Sequence, residues 1–155
     1  MKIVVRDMRP DKTGIGTAYS SVDPTSRFTI KSRQPLESVV GAAITSEFQA
    51  RGFVVGDADA ATTLAVDVIK ADSLAKWLLG RTKVRAEAEL TVRVTNKAGR
   101  LLYTNTFTQS KSATNVALLG SYDEGKEQLE AALAEVIRSV PEDQKLVATL
   151  YTARR

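Results

Sequence analysis

Any chemistry in this chain has to be done without the two side chains that most often do it, because its 155 residues contain no histidine and no cysteine. The commonest general base and metal ligand is thereby gone, together with the thiolate nucleophile and any disulfide. Paired carboxylates or a lysine could still act, but spacing places no such pair in a cleft. Gly14-Ile15-Gly16 invites a phosphate-loop reading. It fails, since the third glycine and the lysine-hydroxyl pair are missing and no helix pattern starts there. The expectation is a protein that is not an enzyme and that holds neither metal nor cofactor.

Two groups of residues point to binding instead. Arg81, Lys83 and Arg85 form the densest basic group of a chain with 22 basic and 18 acidic residues. On a strand they share one face. Glu87 and Glu89 continue the same row, followed by Thr91, Arg93 and Thr95 where a single-stranded nucleic acid would need aromatic stacking platforms. A nucleic-acid-binding domain using an open sheet face is therefore the second reading, behind protein binding. The other group is a repeated tripeptide, Leu78-Leu79-Gly80 and Leu118-Leu119-Gly120. If both connectors lie at one end of an antiparallel sheet, Trp77, Leu78, Leu79, Val116, Leu118 and Leu119 form an apolar partner-binding surface. The competing reading tucks them under the helix ends as a satellite of the core.

The elements that must position these residues are organised around Lys83 to Thr95, where polar and apolar residues alternate without error. Val84, Ala86, Ala88, Leu90, Val92 and Val94 form its apolar row, as in a strand with one buried face; its length predicts strong twist or a bulge. Ile3 to Met8 reads as a first strand, stopped at Pro10. Ile15 to Ser20 and Arg27 to Ser32 pair as a hairpin within the polar stretch 11–34. Pro35 opens a helix with Leu36, Val39, Val40, Ala43, Ile44 and Phe48 as its stripe, and Gly52 caps it in the left-handed region. Thr62 to Lys70 is a strand with Leu64, Val66 and Val68 inward and Ala65 and Asp67 outward. Asp72 to Gly80 reads as a short helix.

Gly99 turns the chain into a returning strand, Leu101 to Lys111, with Leu101, Tyr103 and Phe107 on one face. Asn105 interrupts that row and so requires a bulge or a hydrogen-bond partner. Ser112 to Gly120 is a second connector. Ser121-Tyr122-Asp123-Glu124 is a capping box opening the clearest helix, with Leu129, Ala132, Leu133, Val136, Ile137 and Val140 buried and Pro141 at its end. Residues 141–155 form a short helix and tail, with Leu146, Val147, Leu150 and Tyr151 as contact face. The whole of 1–155 is one domain, long enough to remove roughly 68 to 70% of its unfolded surface from water. The predicted fold is a two-layer α/β (α+β) sandwich, a mixed and mostly antiparallel sheet with two long amphipathic helices on one face.

Several of these residues resemble a known family. Ile3-Val4-Val5-Arg6-Asp7-Met8-Arg9-Pro10, Arg51-Gly52-Phe53 after the first helix, the long strand pair and the capped final helix are similar to the YajG family of bacterial lipoproteins, in order from about Ile3 to Leu150. That resemblance implies an exported protein, lipidated on an N-terminal cysteine and held at the periplasmic side of the outer membrane of Gram-negative bacteria. It implies no established activity. The lipid-bearing cysteine and signal are absent from this chain, so membrane contact is expected only through an anchor that the chain lacks. The functional expectation is a non-catalytic periplasmic domain whose partner is an envelope protein of unspecified identity.

Overall fold

A computed structural model describes residues 1–19, 26–56, 60–78, 81–115 and 121–153, with backbone alone at Trp77, Leu78, Asn115, Ser121 and Tyr122. The strands are β1 (Lys2–Asp7), β2 (Gly16–Tyr19), β3 (Arg27–Ile30), β4 (Thr62–Leu78), β5 (Arg81–Asn96) and β6 (Leu101–Asn115). The helices are α1 (Leu36–Ala50), α2 (Ser121–Ser139) and α3 (Gln144–Thr152), with a 3-10 turn at Val140–Glu142 between the last two.

The expected central strand is β5, antiparallel to β4 on one side and to β6 on the other. All six of its inward residues are buried, Val84 to Val94, each fully enclosed valine or leucine contributing about 1.5–3 kcal/mol relative to exposure. Helices α1 and α2 cover this face with Leu36, Val40, Ile44 and Phe48 from one and Leu129, Ala132, Leu133, Val136 and Ile137 from the other. Pairing in the sheet runs β3-β2-β4-β5-β6, and β1 pairs parallel with the first half of β4, Lys2 opposite Thr63 and Asp7 opposite Val68. β2 pairs parallel with the second half of the same edge, at Leu74 and Ala75. The loop after β1 fills the gap, with Met8 N donating to the Val68 carbonyl and Ser73 N to the Ile15 carbonyl, 3.0 and 3.1 Å.

Two expectations about the connectors are overturned. Asp72 to Gly80 is not a short helix: β4 runs on to Leu78, and β6 likewise continues past Lys111 to Asn115. The helix-favouring leucines and alanines are overridden because every residue of β5 offers ladder hydrogen bonds, and because Ala71, Ser73 and Ala75 face Ala88, Ala86 and Val84 inside. The bulges fall in the partners of β5, where the register shifts between Val68 and Lys70 of β4 and at Val94/Thr95 opposite Leu102 of β6.

Smaller corrections follow from geometry. Pro35 is the residue before α1, with extended ψ of 136°, and not its first turn. Val39 and Tyr151, expected to pack, are exposed, although the Tyr151 ring lies 5.3 Å from that of Phe53. Leu101, expected on the inward face, lies opposite Thr95 on the outward one and is exposed, since the extra residue Leu102 shifts the parity. Gly52 and Gly99 have φ of 81° and 76°, the left-handed caps expected of them. Asn105 finds its partner in Asp143, which caps α3. The proposed capping box turns on the Ser121 side chain, and only the backbone of that residue is described.

Candidate functional site

The apolar surface anticipated from Trp77, Leu78, Leu79, Val116, Leu118 and Leu119 falls largely outside the described residues, which include neither Leu79 nor Val116, Leu118 and Leu119. The strand ends that carry it do come together. Trp77 stands opposite Thr82, Leu78 opposite Arg81, and Thr82 in turn opposite Asn115.

Facing away from the helices, the three long strands present a mainly polar surface. On β6 its row reads Thr104, Thr106, Thr108, Ser110, Ser112 and Thr114, in register with Arg93 through Lys83 of β5. The Thr91 and Thr106 hydroxyls meet across the ladder at 3.0 Å. Several charges on this face are paired. Asp67, expected outward, is on the outward row yet only 4% exposed, because Arg6 Nε donates to its Oδ1 at 2.8 Å and Arg93 Nη2 to its Oδ2. Glu87 likewise bridges Lys70 and Arg85, and the Lys70 hydrogen bond holds its carboxyl below the usual carboxylate range. Towards Leu78, Lys76, Lys83 and Arg85 surround Leu74 in a shallow concavity of about 330 Å³. Lys76 Nζ lies 5.6 Å above the centre of the Tyr19 ring.

Sequence reasoning missed a buried ion pair. Arg9 sits in the gap between β1 and β2, with Nε and Nη2 on the two oxygens of Asp7 at 2.9 and 2.8 Å. Its Nη1 donates to the carbonyls of Gly14 and Ala71 at 2.7 and 3.2 Å. Both residues of the pair are buried. Burial pushes the Asp7 carboxyl up, but the Arg9 hydrogen bonds and charge outweigh it and hold the group below its ordinary value. A cleft of about 370 Å³ adjoins this clasp, lined by Asp11, Gly14, Thr17, Thr29, Lys70 and Asp72 among others. The Gly14-Ile15-Gly16 segment is explained here by packing. A Cβ on Gly16 would collide with Ser73 Oγ and stand 2.5 Å from the Ser73 carbonyl oxygen. The available signal was Asp7-x-Arg9 ahead of Pro10, an acid and a base two residues apart where a strand stops.

A third polar group locks α3. Asp143 accepts from Leu146 N at 2.9 Å and from Asn105 Nδ2 at 3.2 Å. Burial pushes its carboxyl up, and the cap hydrogen bond and its neighbours bring it net below the usual range. The Tyr103 hydroxyl is enclosed beside it, and burial first, with the Asp143 charge, pushes that phenol up to about 12. Among the described residues no group of three or more aspartates and glutamates is arranged to hold a metal. No helix among them is long and apolar enough to cross a membrane.

Fold and site together define a two-layer α+β domain with one helix-covered sheet face and one open polar face. The family described as uncharacterised lipoprotein (Lipoprotein_16) matches residues 1–151, and this chain belongs to it, in agreement with its resemblance to YajG-family proteins. Among solved structures, a Xanthomonas campestris protein of the DUF330 family is similar at 16% identity and a TM-score of 0.65, over 99% of this chain and 85% of that one. A minor lipoprotein from Acinetobacter baumannii is similar at 12% identity and a TM-score of 0.55, over 95% and 92%. At such identities the likeness shows the fold alone. The comparison with curated proteins found no match. Membership of a lipoprotein family gives the chain a bacterial envelope location.

Proposed function

We propose that this chain is the folded domain of a lipoprotein on the periplasmic side of the outer membrane, and that it works without chemistry, by docking an envelope protein on the open face of its sheet. One observation carries the reading. The outward face of β4, β5 and β6 is mainly polar, interrupted by Leu74 and Leu101, and no described element covers it. Six of its charged side chains are joined in the Arg6–Asp67–Arg93 and Lys70–Glu87–Arg85 pairings. Side chains already engaged in such pairs have less conformational freedom to lose on docking, which favours a binding role. The chain's lack of histidine and cysteine supports the non-catalytic part.

Site-specific photo-crosslinking in cells tests it. A crosslinking side chain at Thr106 or Thr108 should give a discrete adduct with one envelope protein, and the same group at Ser46 or Glu127 on the helices should not. Adducts from the helix positions alone, or from none, would refute the sheet face as the docking surface.

A further inference from the structure

The sheet ends at β6, and among the described residues no element pairs with the other side of that strand. Two contacts show which of its backbone groups face outwards from the ladder. The Thr91 and Thr106 hydroxyls meet at 3.0 Å, the close side-chain approach of a facing pair that exchanges no backbone hydrogen bonds. Thr106 N accordingly donates to Asn105 Oδ1, at 2.9 Å, and not to β5. Because this orientation alternates along a strand, Thr108, Ser110, Ser112 and Thr114 also turn their N–H and C=O groups to the open edge. None of these four makes a hydrogen bond on that side among the described residues. The charges beside the edge have an order of their own. From Thr108 to Thr114 the outward residues of β6 are short hydroxyl side chains, lying opposite Glu89, Glu87, Arg85 and Lys83 of β5 in turn. That row runs acid, acid, base, base, and it is its own complement when reversed about its midpoint.

We propose that β6 pairs antiparallel with β6 of a second copy of this chain, about a two-fold axis at Lys111, so that two sheets join into one. In this register Thr108 faces Thr114 of the other copy and Ser110 faces Ser112, and all four open positions gain ladder partners. Glu89 then looks across the seam to Lys83 of the other copy and Glu87 to Arg85, each pair repeated by the symmetry. An axis one residue away in either direction sets Glu87 or Arg85 against its own copy, so charge selects the register. On the inward side the axis brings Lys111 to Lys111 of the other copy. Each of these lysines is already paired with Glu135 of α2, so the axis carries two cations and two anions. The inference concerns the edge of the sheet and does not rest on the docking reading of its open face.

Sedimentation of the chain over a range of concentrations tests the proposal and should show a monomer–dimer equilibrium. Lys83→Glu alone and Glu89→Lys alone each turn two attractive pairs repulsive, and each should weaken the dimer about tenfold. An equimolar mixture of these two variants should regain the wild-type association, because every exchanged charge then meets its opposite across the seam. Neither residue takes part in an ion pair among the described residues, so thermal melts of both variants should match the wild type. Ser110→Pro removes an N–H that points to the open edge and spares the ladder with β5, so it should also weaken the dimer about tenfold or more. The mixing experiment alters no backbone group and stands whether or not the proline variant folds. Amide exchange at Thr108, Ser110, Ser112 and Thr114 should slow as concentration rises, while the amide of Lys111, which faces β5, is protected throughout. A chain that stays monomeric at every concentration overturns the proposal. So does a dimer unaffected by Lys83→Glu, Glu89→Lys and Ser110→Pro, which would lie on another surface, and so does a mixture no stronger than its two components.

Discussion

Substitution of the buried Arg9–Asp7 pair should separate charge pairing from simple packing. Arg9→Met leaves the Asp7 carboxylate enclosed with only the Arg9 backbone N–H, 3.1 Å away, and strips donors from the Gly14 and Ala71 carbonyls. Removing one partner of such a pair costs about 3–5 kcal/mol, because the survivor remains charged and out of water. Asp7→Leu should cost a similar amount, leaving the guanidinium with two carbonyl acceptors only. The double variant removes both charges and forfeits mainly the two carbonyl hydrogen bonds, so it should cost about 2–4 kcal/mol, no more than either single change and far below their sum. Urea denaturation of all four proteins gives the cycle. The pH dependence has a fixed sign. With its folded pKa below the unfolded value of about 3.9, Asp7 contributes stability that is fully present above about pH 4 and is lost as the pH falls through the folded pKa. The gap between wild type and Arg9→Met should therefore narrow in acid. Additive singles, or single losses under about 1 kcal/mol, would refute the clasp as an energetic unit.

Three further outcomes are expected. Leu129→Ala should cost about 3–5 kcal/mol and Leu133→Ala about 2–3 by chemical denaturation, since Leu129 is 1% exposed whereas Leu133, at 8%, lines an open groove of about 190 Å³ with Ile15 and Leu36. Gly16→Ala should destabilise by more than about 2 kcal/mol through its clash with the Ser73 backbone, while Gly56→Ala, with nothing within 4 Å of the new carbon, should be neutral or slightly stabilising in the same assay. Asp143→Ala should lose about 1–2 kcal/mol of α3 stability, visible as faster amide exchange from Leu146 onward; and because the Asp143 carboxyl is held below its usual range, that loss should shrink as the pH drops below about 4.

Periodicity made the fold legible wherever one face of an element is buried. β5 could be read residue by residue because its inward row is buried throughout, and α2 because its five buried apolar positions recur at helical spacing. Reading failed where two physical effects competed. From Asp72 to Leu78 the leucines and alanines favour helix locally, yet the long β5 ladder supplies backbone partners that no local pattern announces. Inward parity on β6 was lost at Leu102, an extra residue that puts Leu101 on the outward row. The polar network was less legible still. Asp67 reads as a solvated outward residue, and only the parallel register of β1 brings Arg6 against it, across 61 residues of sequence. Asp7 and Arg9 are neighbours in the chain, but their burial depends on a gap between two strands that share one edge of β4. The surface expected from the two leucine tripeptides falls mostly outside the described residues, and the open face emerged from the topology in its place.

That shared edge also constrains the order of assembly. β1 pairs with residues 63–68 and β2 with residues 74 and 75, so the first two strands of the chain wait for a template that follows them by more than fifty residues. Early synthesis therefore yields, at most, the β2–β3 hairpin and a nascent α1, neither of which is stable alone in water. Long-range pairing of this kind is slow to nucleate, because chain closure must precede the contacts that reward it. The first two strands therefore stay extended until β4 has been made, and the domain closes only once its second half has followed.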